Sequence, residues 1–201
     1  MLTQGQMDID FVTAFTPSIP LYREAAELLQ RDCDLHEITL HQIPYDDRGG
    51  WGVNCRLKPS LYRGWMREHM KPAVFIDADS RILRPPVAFL SLGTVPMAAV
   101  PITKRKKRKF TNIIRATPLY LTPAALDFMD AWCELCEEDA INRPTSDHAY
   151  IPGALDESGI VWGSLPASYC EVGGRKGGTV ILTKVSSSEQ KNSYLHGSEK
   201  R

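Results

Sequence analysis

The chain has 201 residues, 24 basic and 24 acidic, a formal net charge of zero and 43% hydrophobic side chains. That balance excludes disordered and fibrous classes and leaves no global field to draw in nucleic acid or an anionic membrane. No run approaches the roughly 18 apolar residues of a membrane span, and residues 1–10 have neither a basic start nor an apolar segment, so no secretory leader is expected. The five cysteines, Cys33, Cys55, Cys133, Cys136 and Cys170, are odd in number and irregular in spacing. They point to free thiols and a cytoplasmic location.

Residues 8–15 (DIDFVTAF) are β-rich and end at Thr16-Pro17-Ser18, which reads as a first strand and a loop. Leu21, Ala25, Leu28 and Leu29 then recur at helical spacing, with Pro20 well placed to start the helix. Residues 36–43 return to β character, and Asp46-Asp47-Arg48-Gly49-Gly50 is a loop by composition. A second helix is predicted over 59–69, beginning at Lys58-Pro59. Ala73-Val74-Phe75-Ile76 is a continuous apolar run, suited to a strand buried on both faces. This alternation is the signature of an α/β domain.

Further on, 95–102 and 113–121 read as strands. Thr122-Pro123 opens a helix to about Glu138 that turns Leu126, Met129, Trp132, Cys133 and Cys136 inward. Late strands are expected at 160–165 and 180–182, around a turn at 173–178. A polar tail begins near residue 186. With no repeat and no linker, residues 1–201 read as one domain.

Asp77-Ala78-Asp79 directly follows the buried run. Ligands of α/β sheets bind beyond the carboxyl ends of strands. In extended chain, residues i and i+2 face the same side. Two carboxylates then share one small volume, where they repel unless a cation neutralises them. A hard divalent ion, Mn²⁺ or Mg²⁺, is the natural one, and it also takes phosphate oxygens. The bland alternative is a turn or helix-capping role for these aspartates.

At this point the sequence resembles the nucleotide-sugar glycosyltransferases of the GT-A fold. The carriers are Lys58-Pro59 leading to KPAVFIDADSRI, the segment IIRATPLYLTPAALDFMDAW, Thr145-Ser146-Asp147-His148, and the tail Tyr194 to Lys200. The tail is similar to the His-x-x-Gly-x-x-Lys ending of glycogenin-like retaining enzymes, but more compact. His148 stands where Gln is usual, and Pro152 is expected to interrupt the helix after Asp147.

The resemblance implies a Rossmann-like, mostly parallel sheet flanked by helices. It implies a nucleoside diphosphate sugar donor, a UDP-sugar, and retaining hexosyl transfer. Asp77, Asp79 and His196 would hold the metal, and Lys200 would help neutralise the leaving diphosphate. Base and ribose would lie over Ala14, Phe15 and Thr16, with Arg56 or Lys58 reaching toward the phosphates. Asp147, with His148 beside it, would stand near the sugar carbon under attack.

Lys104, Arg105, Lys106, Lys107, Arg108 and Lys109 are six consecutive cations. Such density predicts an exposed loop. It is a solvated surface, a targeting signal, or a contact for the phosphates of nucleic acid. The run falls on the acceptor side of the resembled fold. It points to a polyanionic acceptor, in its sharpest form DNA with a hydroxymethylated pyrimidine, as in a phage-type enzyme acting in the host cytoplasm. The base would flip out to reach the donor.

Cys133-x-x-Cys136 lacks a second ligand pair for zinc and reads as core. No Gly-x-Gly-x-x-Gly, Walker loop or Gly-x-Ser-x-Gly occurs. Two alternatives stay open. One is a sugar-phosphate nucleotidyltransferase, which would want a Gly-rich loop after the first strand where TAFTPSIP stands. The other is a non-catalytic nucleic-acid-binding module built on residues 104–109.

Overall fold

A computed structural model describes residues 9–106, 109–138, 146–172 and 177–183, with backbone alone at 102–106 and 109–113. Residues 173–176 of the turn expected at 173–178, the polar tail, His196 and Lys200 lie outside the described residues. Among the described residues no helix is long and apolar enough to cross a membrane.

β1 (Asp10–Phe15) is buried along its whole length, as befits a strand covered on both faces. α1 (Pro20–Leu35) starts with Pro20 in its first turn. β2 (Leu40–Pro44) begins later than its composition indicates, because α1 runs on and Glu37 takes a left-handed φ of 56° in the connection. α2 (Trp51–His69) begins eight residues before Pro59 and carries that proline inside it. The expectation of a helix starting at Lys58-Pro59 is therefore corrected. Proline removes one i→i−4 bond, but Tyr62, Trp65 and Met66, all buried, tie the helix to the sheet on the far side of Pro59.

β3 (Ala73–Phe75) and β4 (Arg81–Ile82) flank the acidic turn. β5 (Met97–Lys106) and β6 (Lys109–Leu121) form a long hairpin. Here the loop expected at 104–109 is corrected: Lys104, Arg105 and Lys106 belong to β5 and Lys109 to β6, while Lys107 and Arg108 lie outside the described residues. The antiparallel register explains why strands tolerate these cations. Lys104 pairs with Thr111 and Arg105 with Phe110, so Lys106 opposite Lys109 is the like-charged pair in this register.

α3 (Leu126–Glu138) follows a short 3-10 turn at Pro123–Ala125. Another 3-10 turn, Asp147–Ala149, leads into α4 (Ile151–Ser158). Pro152 does not interrupt a helix as expected; it sits in the first turn of α4, where a missing N–H costs nothing. β7 (Trp162–Ser164), β8 (Glu171–Val172) and β9 (Ile181–Thr183) complete the described elements.

The main sheet has the order β2-β1-β3-β6-β5-β7. β1 runs parallel to β2 and β3, β5 parallel to β7, and β6 antiparallel to both its neighbours. One face packs on α2, α3 and α4 around Phe75, Phe128 and Trp132. The other packs on α1 and the 3-10 turns around Phe11, Leu29, Phe89 and Tyr169. A small sheet, β4-β9-β8, extends the second layer. Residues alternate between the layers: Val12 and Phe75 join the first core, Phe11 and Val74 the second.

Candidate active site

The chain leaves β1 for β2 on one side and comes back as β3 on the other. The strand order reverses there, and connections diverge at the carboxyl ends to open a crevice. A cleft of about 420 Å³ occupies that place. Ala14, Phe15 and Thr16 line it from the end of β1, and Asp77 and Asp79 from the turn after β3. Lys58 enters from α2, and Asp147 and His148 from the 3-10 turn. Eight residues singled out in the sequence, from four separate segments, meet in one volume.

The acidic segment is not extended. Ser80 N donates to Asp77 O at 3.1 Å, closing a turn. Asp77 N donates to Thr117 Oγ1 at 2.9 Å. The same-side argument for i and i+2 is thus corrected, though both carboxylates still line the cleft. The turn is held from below by Asp32 on α1, 6% exposed. Its carboxylate accepts from Arg81 Nε at 2.6 Å, Arg81 Nη2 at 2.8 Å and Ile82 N at 2.9 Å. A two-pronged guanidinium contact of this kind fixes orientation as well as distance.

Lys58 Nζ donates to Asp77 Oδ1 at 2.5 Å, with both side chains largely buried. Burial alone would lower the Lys58 ammonium, but Asp77 first, then Cys55, Tyr62 and Asp147, hold it well above its ordinary value. It stands as the cation that pairs with Asp77. Asp147 is 4% exposed and its Oδ1 has no hydrogen-bond partner among the described residues. Burial pushes its carboxyl up, against the pull of Lys58 and His148. Burial also pushes up the Tyr62 phenol beneath them. Trp132 Nε1 on α3 donates to Asp147 O at 2.9 Å and fixes the 3-10 turn.

Arg56, expected at the phosphates, is buried and does not line the cleft. One residue past Cys55 on α2, it faces the core side, where its charge acts on Cys136. The cleft also uses residues that the sequence reading passed over: Tyr22, Tyr45, Trp51, Asn54, Cys55 and Arg115. Four of these, Tyr45, Trp51, Asn54 and Cys55, lie on the loop after β2 or at the start of α2. Asn54 secures that loop, accepting from Arg48 N at 3.0 Å and donating to Asp47 Oδ1 at 2.7 Å. A Trp directly after Gly49-Gly50, at a strand's carboxyl end, was the available signal. The cysteine pair behaves as core: Cys133 and Cys136 are buried, and burial pushes the Cys133 thiol up to about 11.

The donors at the cleft are hard carboxylate oxygens, which suit Mn²⁺ or Mg²⁺. The buried, unpartnered Oδ1 of Asp147 adds a third carboxylate to the same cleft. The fit is to a set of hard oxygens. No group of three metal-ligating side chains stands close enough to chelate an ion among the described residues. His196 lies outside them.

No family model matches the chain, and no curated protein matches its sequence. Solved structures do share its fold. A glycosyltransferase involved in the glycosylation of the major capsid of PBCV-1 superposes with a TM-score of 0.67 at 10% identity, covering 94% of this chain and 98% of that one. The apo glycosyltransferase GlyE of Streptococcus pneumoniae TIGR4 gives 0.58 at 13% identity, covering 90% and 55%. The bifunctional glycosyltransferase WbbM gives 0.50 at 11% identity, covering 89% and 46%. The chain therefore spans about half of the last two. Its fold is that of the GT-A-like glycosyltransferases.

Proposed function

We propose that the chain is a metal-dependent glycosyltransferase that moves a hexosyl group from a UDP-sugar to a hydroxyl acceptor with retention. The observation that supports this best is the single cleft that gathers Ala14, Phe15, Thr16, Lys58, Asp77, Asp79, Asp147 and His148 at the reversal of strand order. Asp77 and Asp79 would hold the divalent ion, and the sequence resemblance gives His196 as a further ligand. When bound, the ion supplies Lewis-acid neutralisation of the diphosphate.

The chain's own residues do the rest. The base and ribose rest over Ala14, Phe15 and Thr16. Lys58 orients Asp77 and keeps a positive charge beside the phosphates, a task the sequence resemblance also gives to Lys200. Asp147 faces the sugar carbon, a buried anion opposite developing positive charge, and His148 stands beside it. In the balanced reaction the acceptor oxygen bonds to the anomeric carbon and the bond to the diphosphate oxygen breaks. The electron pair leaves on the diphosphate, and the acceptor proton is lost to a diphosphate oxygen. Preorganised charge of this kind is usually the largest catalytic contribution. The acceptor we favour is DNA carrying a hydroxymethylated pyrimidine.

Calorimetric titration of UDP with and without Mn²⁺ tests the reading. The native chain should bind UDP only with the ion, and Asp79→Asn should weaken that binding at least about tenfold, as loss of one charge-assisted contact implies. Metal-independent binding, or binding indifferent to the substitution, overturns it.

A further inference from the structure

Trp51, Asn54, Cys55 and Lys58 line the cleft from one face of α2, at i, i+3, i+4 and i+7. Tyr62 continues that stripe one turn past Lys58. It is buried, 3% exposed, with its ring centroid 4.7 Å from that of Phe75 on β3. Its hydroxyl has no hydrogen-bond partner among the described residues. Burial pushes the phenol up, and the charges of Lys58, Asp77 and Asp147 act on it. The hydroxyl therefore keeps its proton and stands as a donor.

Asp147 has the complementary deficit. Its Oδ1 is buried and has no donor among the described residues, so that oxygen faces inward and not toward the open cleft. The other unanswered buried side-chain groups stand elsewhere. Thr13 lies between Val12 and Ala14, which face the first core, so its hydroxyl faces the second layer. His36 ends α1, and Ser80 belongs to the turn after β3. Trp65 is a further turn along α2, stacked on His69. Tyr62 shares the surroundings of Asp147: α2 packs on the 3-10 turn, and the charges of Lys58 and Asp77 act on both side chains.

A donor and an acceptor left unanswered at this depth each carry a full desolvation cost. Buried polar groups too far apart for a direct bond are commonly joined by one water with about three partners. Lys58 supplies the third, since its ammonium has N–H bonds to spare beyond the one given to Asp77 Oδ1.

We propose that Tyr62 is a positioning residue: its hydroxyl and Lys58 Nζ donate to one buried water, which donates to Asp147 Oδ1 and so aims the other carboxylate oxygen into the cleft. The proposal rests on the glycosyltransferase reading for what the aimed oxygen does, but not for the pairing itself.

Tyr62→Phe removes the hydroxyl and keeps the ring. It is combined with Asp147→Ala in a double-mutant cycle on the full chain. The cycle is read by denaturant melts and by hydrolysis of UDP-glucose or UDP-galactose with Mn²⁺, whichever the native chain turns over faster. Tyr62→Phe should raise the unfolding constant about fivefold and lower kcat about tenfold, with the donor KM within about twofold. In the Asp147→Ala background the same change should leave kcat in place and no longer raise the unfolding constant. Thr13→Val, which removes another unanswered hydroxyl, should do neither.

Tyr62→Phe behaving like Thr13→Val would mean that the hydroxyl holds nothing, and the proposal is overturned. Losses of equal size with and without Asp147 overturn it as well. So does a raised donor KM at unchanged kcat, which would place the hydroxyl on the donor. A native chain that binds no UDP fails the glycosyltransferase reading. Coupling in the melts would then still support the pairing, and additive melts would overturn it.

Discussion

Asp147 shows the conflict between stability and chemistry at a single side chain. It is a buried carboxylate next to Lys58, with one oxygen unpartnered among the described residues. Burial raises its carboxyl above the ordinary value, so the folded chain holds that proton more tightly than the unfolded chain. Unfolding then releases a proton, and stability falls as pH rises from the ordinary carboxyl range through the folded value, levelling off above it. Asp147→Asn has no proton to lose there. It should melt above the native chain at neutral pH and show no such advantage at low pH. Transfer should fall at least about a hundredfold if the carboxylate acts at the sugar carbon. Denaturant melts at two pH values and a transfer assay check both halves. A variant less stable at neutral pH would contradict the burial argument.

At the scale of elements, two local devices hold the cleft, and they differ in how readable they were. The β-rich segment at 8–15 and the apolar run at 73–76 announced β1 and β3, because strands covered on both faces admit little else. Asp77 and Asp79, which follow the second of these, were legible for the same reason. The loop at 46–50 was legible from its composition, but the first two turns of α2 were not, since Pro59 mimics a helix start and the pull that keeps α2 intact lies across the sheet. Arg115 was hidden because the bulge beside it in the β5–β6 register is a property of pairing between distant strands. Asn54 joins loop to helix through hydrogen bonds worth about 1 kcal/mol each. Asn54→Ala should therefore raise KM for the donor about fivefold to tenfold with little change in kcat. Asp32 is a different case, since its removal leaves Arg81 and the Ile82 amide unanswered in a largely buried place. Asp32→Ala should cost about 3 kcal/mol of unfolding free energy, read from denaturant midpoints. A loss under about 1 kcal/mol would mean that water replaces the carboxylate.

The molecule as a whole joins two layers at one point. Lys58 and its neighbours descend from α2, the acidic turn from β3, and Asp147 from the segment that α3 supports. Trp132 is the link between the helical core and the chemistry: fully buried, stacked on Phe128 at 5.7 Å, and donating to Asp147 O at 2.9 Å. Trp132→Phe keeps most of the packing and deletes the donor. Together, the small void and the unanswered carbonyl should cost about 2 kcal/mol. Phe128→Leu creates a void in the same core with no tie to Asp147, and should cost a similar amount. The two variants separate packing from positioning. If Trp132 places the 3-10 turn, Trp132→Phe lowers kcat about tenfold and shifts the pH profile of transfer, whereas Phe128→Leu leaves both in place. The donor KM should hold in each, because Lys58, Asp77 and the β1 end are carried by other elements. Equal losses of kcat in the two variants would mean that the core acts on the site only through general stability.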